Sequence, residues 1–251
     1  MKYAKKLQTM SDYNTWRQSD SWVTPNVAYL SGTGEVIFNR FVNNNGHDYI
    51  DLGLPSGTLW ATMNIGASSV TDPGFYFAWG ETEPKSSYTW ENYAFGTEDN
   101  LTEYWYDENL GDFDKTRLDL EDDAAHVLWG GGWHIPTIYQ LQELDECFRT
   151  ASEDDFTYSD DYIVFKNLLY IPSSGVMNDS SLSSDTYQFI LQSSDMSTIF
   201  NPNGFLGMSE VGTSNDSSGR DLFPKYLGTS IRPVIGGENY VYQSSGPEPI
   251  K

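Results

Sequence analysis

The chain is poor in cysteine, histidine and positive charge, and each shortage removes a class of function. One cysteine, Cys147, among 251 residues allows no intrachain disulfide and no multi-thiolate zinc site. His47, His126 and His134 are the only histidines, and no two stand at metal-ligand spacing. Fourteen Lys and Arg face 36 Asp and Glu, a net charge of -22 and a pI near 4.2. Such a chain is repelled by phosphate backbones and anionic membranes, which excludes binding nucleic acid through a broad basic face. No apolar run approaches the length needed to span a bilayer, so membrane insertion is not expected. The opening MKYAKKLQTMSDYNTW has bases but no apolar signal core, so the expectation is a protein made and assembled in a cytoplasm. A G-x-S-x-G elbow and a Walker loop are both missing. Acids are plentiful, but no pair stands out for glycoside hydrolysis, whose carboxylate separation is a spatial property. The reading is non-enzymatic, with no cofactor and no metal.

What the chain does have is aromatic area: 8 Trp, 17 Tyr and 13 Phe can build a core and still leave rings for a binding surface. Its length suits one large domain with an appendage. Charge is distributed unevenly. Residues 1–40 hold five bases against three acids, a net of +2, which leaves -24 on the remainder. That difference marks residues 1–45 as an N-terminal docking arm, residues 46–236 as the main domain and residues 237–251 as a tail.

Within the arm, Ser11 is placed to cap a short helix through Trp16, and VTPNVAYLSGTGEVIFNRF alternates apolar residues across Gly-Thr-Gly, predicting a β-hairpin over roughly 26–31 and 35–40. Asn43-Asn44-Asn45-Gly46 has linker composition. From His47 the chain becomes short aromatic-rich strands, with Tyr49, Asp51, Leu59, Trp60 and residues 75–79 as candidates. Residues 97–123, with eleven acids and two bases, predict a long solvated excursion; the Glu121-Asp122-Asp123 run lacks the D-x-D-x-D-G pattern of a calcium loop. YIVFKNLLYIP is a strand candidate, residues 173–220 are rich in Ser, Asn, Gly and Asp, and strand texture returns in TSIRPVIG.

The stretch GGGWHIPTIYQLQEL raises the question of a phosphate cradle. A phosphate loop places its glycines at the helix start; here Trp133-His134-Ile135-Pro136 intervenes. Thr137 and Gln140 form a capping-box pattern, and Leu141, Leu144 and Phe148 make one apolar helix face. The stretch reads as a tight turn leading to a buried Trp133 and a capped helix. Cys147 falls on that helix beside Phe148 and reads as packing.

Five pieces in order carry a family resemblance: YIDLGLPSGTLWATMNIGA, YFAWGETEPKSSYTWENY, EDDAAHVLWGGGWHIPTIYQLQEL, YIPSSGV and SIRPVI. Together, over about residues 47–236, they resemble modules of gut Bacteroidales and their phages related to the Fibrobacter major paralogous domain. Those modules are similar to the C-type-lectin-like fold used by the variable proteins of diversity-generating retroelements. The resemblance implies an α+β, C-type-lectin-like fold of short, mostly antiparallel strands with one or two helices, preceded here by the arm with its hairpin. Where family members read YYWSSS, this chain has Phe189-Ile190-Leu191-Gln192. The calcium-site motifs of true C-type lectins are also unmatched: Glu83-Pro84-Lys85 and Trp90-Glu91-Asn92 stand early, with a lysine where a cation belongs. A relative of this fold, the formylglycine-generating enzyme, needs two reactive cysteines, and only Cys147 is present. The arm is similar to leader segments of Bacteroides phage structural proteins.

The resemblance implies a phage virion component (fibre, tail or capsid decoration) tied to other virion proteins through residues 1–45, with a homotrimer as one assembly. Its loops would meet a host-surface glycan or protein. A bacterial surface adhesin with a trimmed signal and a purely structural virion component are the alternatives. Adaptable small polar residues interleaved with aromatics, as in antibody paratopes, mark residues 173–226 as the binding region. The candidate contacts are Tyr187, Asp195, Asn201, Asn203, Arg220, Asp221, Phe223, Lys225 and Tyr226. Arg232 reads as a buried guanidinium joining strands.

Overall fold

The alternation around Gly-Thr-Gly does produce a hairpin: β1 (Val27–Leu30) runs antiparallel to β2 (Val36–Asn39), with Val27 opposite Asn39 and Leu30 opposite Val36. The computed structural model describes residues 27–30, 36–39, 42–107, 112–183, 189–196, 204–208 and 221–237. The helix expected at residues 11–16 lies outside these, as does the tail past Gly237.

β3 (Val42–Asn44) and β4 (His47–Asp51) follow, joined by Asn45 and Gly46 at φ 50° and 90°. Positive φ at both central residues is what a tight hairpin turn requires, and Asn-Gly meets it at least cost. The stretch expected as a linker is therefore a turn inside a sheet. β5 (Leu59–Ala61) pairs with β4, and β6 (Tyr76–Phe77) comes next. The acidic excursion contains β7 (Gly96–Thr97), β8 (Asn100–Leu101), β9 (Tyr106–Asp107) and β10 (Asp112–Phe113).

Two α-helices occur among the described residues, α1 (Ala124–Trp129) and α2 (Ile138–Arg149), with β11 (Trp133–His134) between them. Beyond α2 lie β12 (Phe156–Tyr158), β13 (Tyr162–Phe165), β14 (Leu169–Pro172), β15 (Val176–Asn178) and β16 (Ser181–Ser183). The last strands are β17 (Leu191–Met196), β18 (Gly204–Met208), β19 (Asp221–Pro224), β20 (Thr229–Ser230) and β21 (Val234–Ile235). The main sheet has the order β11-β21-β5-β4-β3; β12-β13-β14 and β17-β18-β19 form separate three-stranded sheets, and every paired strand is antiparallel. The class is α+β, built of short antiparallel strands with two helices.

YIVFKNLLYIP is not one strand but the β13–β14 hairpin. Lys166 and Asn167 take φ 51° and 54° and reverse the chain, and period-two apolarity cannot distinguish this from a longer single strand. The excursion is exposed over most of its described residues, as expected of a solvated segment, but it is pinned at a few buried points. Tyr104 and Leu118 are buried in it, the Tyr104 hydroxyl donates to Asp122, and the amide of Tyr104 donates to Asp114 at 3.0 Å. Its last acid, the buried Asp123, caps α1 by accepting from the amide of His126 at 3.0 Å and ties the helix to β11's exit by accepting from that of Ile135 at 2.8 Å.

Residues 130–132 all have positive φ, and a Cβ on Gly131 would lie 2.7 Å from that of Asn45. The glycines let the chain after α1 press against the β3–β4 turn. There Asn44 Nδ2 donates to the Gly131 carbonyl at 2.6 Å, Asn45 Nδ2 donates to the Trp129 carbonyl, and Trp133 Nε1 donates to the Asn44 carbonyl at 3.0 Å. His47 lies flat on Trp129, centroids 3.7 Å apart. The glycine run is thus a fold element. The capping box of α2 forms as its sequence requires: Gln140 N donates to Thr137 Oγ1 at 3.2 Å and Thr137 N donates to Gln140 Oε1 at 2.8 Å. Its apolar face buries Ile138, Leu141, Leu144 and Phe148 against Ile163, Phe165, Leu191 and Val234. Each such side chain contributes about 1.5–3 kcal/mol by leaving water. A second cluster surrounds Trp79, Tyr104, Trp133, Phe205 and Phe223.

Candidate functional site

The candidate region is carried by β17, β18 and β19 and by the turn after β19. Tyr187, Asn201, Asn203 and Arg220 lie outside the described residues, and Asp221 is described only as the backbone at the start of β19, opposite Gly207. The other four candidates divide sharply.

Asp195 is buried and both of its oxygens are taken. Oδ1 accepts from Arg117 Nε at 2.7 Å, and Oδ2 accepts from the amide of Ile138 at 2.7 Å. A carboxylate on the first amide of α2 satisfies an otherwise orphaned donor and favours the helix dipole. Asp195 therefore links β17, α2 and the acidic excursion. Phe223 also turns inward. It faces Phe205 across the β18–β19 ladder, rings 5.4 Å apart, and Phe205 in turn lies parallel to Trp79 at 6.4 Å.

Lys225 is fully buried, an outcome its charge does not suggest. Its Nζ donates to the Tyr104 carbonyl at 2.6 Å and lies 5.2 Å from the centre of the Trp79 ring, while its carbonyl accepts from Trp79 N at 2.9 Å. The apolar surroundings push its pKa down to about 7. Strand alternation accounts for the inward set, since Phe223 and Lys225 are two residues apart and share a face. Loop composition does not reveal that alternation.

Tyr226, between buried Lys225 and buried Leu227, is half-buried and belongs to a surface ledge. Two bridges assemble that ledge from remote segments. Tyr88 and Asp179 exchange backbone hydrogen bonds of 3.0 and 2.8 Å, and Met177 and Gly228 exchange bonds of 2.8 and 2.9 Å. Gly228 is needed there, because an added Cβ would sit 2.7 Å from the Tyr88 ring. The result sets Trp90 against Tyr226 at 5.1 Å with a 53° tilt, Tyr93 edge-on to Trp90 at 5.5 Å, and Met177 alongside. Trp90, Tyr226 and Met177 are all half-buried, and exposed Glu91, Asn92 and Asp179 lie on the same segments. Ser87 Oγ donates to Asp179 Oδ1 at 2.6 Å.

Chain comparison adds no neighbour. No protein-family model, curated protein or solved structure matches it.

The ledge was partly hidden from sequence reasoning. Trp90-Glu91-Asn92 does not match a calcium motif, and its tryptophan is the feature on the surface. Lys85 beside it makes an ion pair with Glu81 Oε2 at 2.8 Å and donates to both the carbonyl and side-chain oxygens of Asn92 at 3.0 Å. The oxygens of this corner converge on an ammonium belonging to the chain itself. Among the described residues, no group of three or more His, Cys, Asp or Glu is placed to hold a metal ion. Ser56 Oγ donates to the buried Glu143, but the second carboxylate oxygen accepts from Ser56 N at 2.7 Å, so the pair clamps the residue 54–58 turn onto α2. Cys147 is half-buried in the α2 core, and burial pushes its thiol pKa up, away from a reactive thiolate. The ledge offers an apolar platform rimmed by hydrogen-bonding groups, suited to holding a sugar ring or an aromatic side chain.

Proposed function

We propose that this chain is a non-enzymatic display protein of a phage virion (fibre, tail or capsid decoration) whose C-type-lectin-like domain recognises a host-surface glycan or protein. The observation that carries this reading is the Trp90–Tyr226 ledge just past β19, where a 3-10 turn over residues 90–92 and two backbone bridges hold half-buried rings beside Met177 and exposed Asp179. Rings with a fixed frame supply area at low entropic cost, and small polar residues adapt to the ligand. The motif order from residue 47 to residue 236 supports the family, and the positive arm supports attachment of the domain to a particle. The net charge of -22 argues against nucleic acid as the ligand.

The test is binding of the full chain to intact gut Bacteroidales cells, with Trp90→Ala and Tyr226→Ala as variants. Saturable binding that each variant weakens about tenfold or more, at unchanged thermal stability, supports recognition through the ledge. No binding by the folded wild type moves the assignment to a structural virion component. Lys225→Ala is unsuitable as a probe, because it empties a core position.

A further inference from the structure

The rings of the ledge suit a sugar face, an aromatic ring or a cation alike, so the rim decides which occupant belongs there. Among the described residues that rim is negative. Glu91 follows Trp90 directly, Asp179 stands just past Met177, and both are exposed. The Tyr88–Asp179 bridge draws their two segments together. The carboxylates are near enough to feel one another: the Thr89 hydroxyl and the backbone hold Glu91 below the ordinary carboxyl range, and the charge of Asp179 works against that shift.

Two lysines lie close by in the chain, and neither neutralises these acids. Lys85 pairs with Glu81 at 2.8 Å and donates to both oxygens of Asn92 at 3.0 Å. Lys225, although adjacent to Tyr226, sends its ammonium inward to the Tyr104 carbonyl. The Asn92 amide is committed too, its nitrogen donating to the Ser87 carbonyl at 3.0 Å. Asp179 accepts from Ser87 Oγ through Oδ1. A carboxylate offers about four acceptor sites, so that bond leaves acceptor capacity to spare.

We propose that the ledge binds a basic side chain, the guanidinium or ammonium of an Arg or Lys on a partner protein, laid across Trp90 and Tyr226 with its N–H groups donating to Glu91 and Asp179. Ring faces attract a cation through their quadrupole, Trp most strongly, and a carboxylate beside them adds charge-assisted hydrogen bonds. Arginine suits the corner better than lysine, because its planar head stacks on a ring and still presents N–H groups at its edge. The same charges turn away acidic glycans, and the net charge of -22 extends that preference over the whole surface. Within the receptor-binding reading, on which this assignment rests, a basic protein segment is thereby selected over a glycan.

The probe is the blocked tripeptide acetyl-Gly-Arg-Gly-amide, with its citrulline counterpart as the uncharged match. Each is titrated into the full chain while the Met177 methyl resonance is followed. The arginine peptide shifts that resonance saturably, and the citrulline peptide binds about tenfold more weakly. Trp90→Leu weakens arginine binding about fivefold, and Glu91→Gln with Asp179→Asn weakens it about tenfold. Gln and Asn keep an acceptor oxygen for Thr89 and Ser87, and Asn tolerates the φ of 51° at residue 179, so the corner keeps its shape. Glu153→Gln with Asp154→Asn removes the same charge from another exposed site and changes affinity by less than about twofold, which separates the ledge from the general field. Equal binding of the two peptides, or equal losses from the ledge pair and the control pair, overturns the proposal. Binding to intact gut Bacteroidales cells runs in parallel. Cells that bind the wild type and the ledge pair alike keep the receptor reading and overturn the basic-ligand assignment. Peptide binding in the expected pattern, with cells left unbound, keeps the assignment and overturns the receptor reading.

Discussion

At the scale of single residues, two buried cations set much of the chemistry of the interior. Arg232 is fully enclosed, its described partners include no carboxylate, and its charge is spread over four acceptors. Nε donates to Asn64 Oδ1 at 2.6 Å, Nη2 to the Tyr170 carbonyl at 2.7 Å, and Nη1 to the carbonyls of Ala61 and Thr62 at 3.1 and 3.3 Å. It joins β5 and its exit to β14, which agrees with its reading as a strand-joining guanidinium. Arg232→Met strands those acceptors in the core and lowers unfolding free energy by about 1–3 kcal/mol or more, measurable by urea denaturation. Lys225 gives a pH signature. Its folded pKa of about 7 lies below the unfolded value of 10.5, so between those values the unfolded chain binds more protons. Stability therefore rises with pH above 7, and the cost of the buried charge is present in full below it. Buried Tyr93 and Tyr104 have raised pKa values and act oppositely once tyrosines ionise in the unfolded chain, near 10. Thermal midpoints taken from pH 7 to 9 climb in the wild type, and in Lys225→Met that climb is reduced.

At the scale of elements, the turn after α1 and the cap of α2 are where local sequence and long-range packing agree. Thr137→Ala removes half of the capping box and costs about 1 kcal/mol, within the usual range for such caps. Gly131→Ala is worse than its size suggests. It forces a side chain into φ 61° and against Asn45, loosening both α1 and the β3–β4 turn. The expected loss is about 1 kcal/mol from the backbone alone, with more from the displaced Asn45, and calorimetry of the variant reads the sum. The capping box of α2 was visible in the sequence because its determinants lie within four residues, whereas the Asn45-Gly46 turn sits in a run of linker composition and showed itself only in the β3–β4 pairing. The β13–β14 hairpin was not visible either, because Lys-Asn is a weaker turn signal and the apolar pattern continues across it.

At the scale of the whole molecule, a net charge of -22 works against the compact state. Added salt screens that repulsion and raises the thermal midpoint. A midpoint that falls with added salt would contradict this. The candidate site belongs to this scale as well. Its ledge comes from residues near 90, 177 and 226, drawn together by two isolated bridges, and no local pattern joins those positions.

The sequence alone determined the hairpin of the arm, the capped α2 helix, the structural role of the glycine run, the burial of Arg232 and the uneven charge. These depend on turn chemistry, capping, apolar periodicity and composition, which act between near neighbours or over the sum of residues. Only the tertiary structure decided which loop residues face water. Asp195 was claimed by the amide of Ile138, Phe223 and Lys225 by the core, and Tyr226 by Trp90, because burial is set by what arrives from elsewhere in the chain. The same reason lifted Trp90 from a failed calcium motif to the centre of the candidate site and pinned an excursion whose composition predicts solvent.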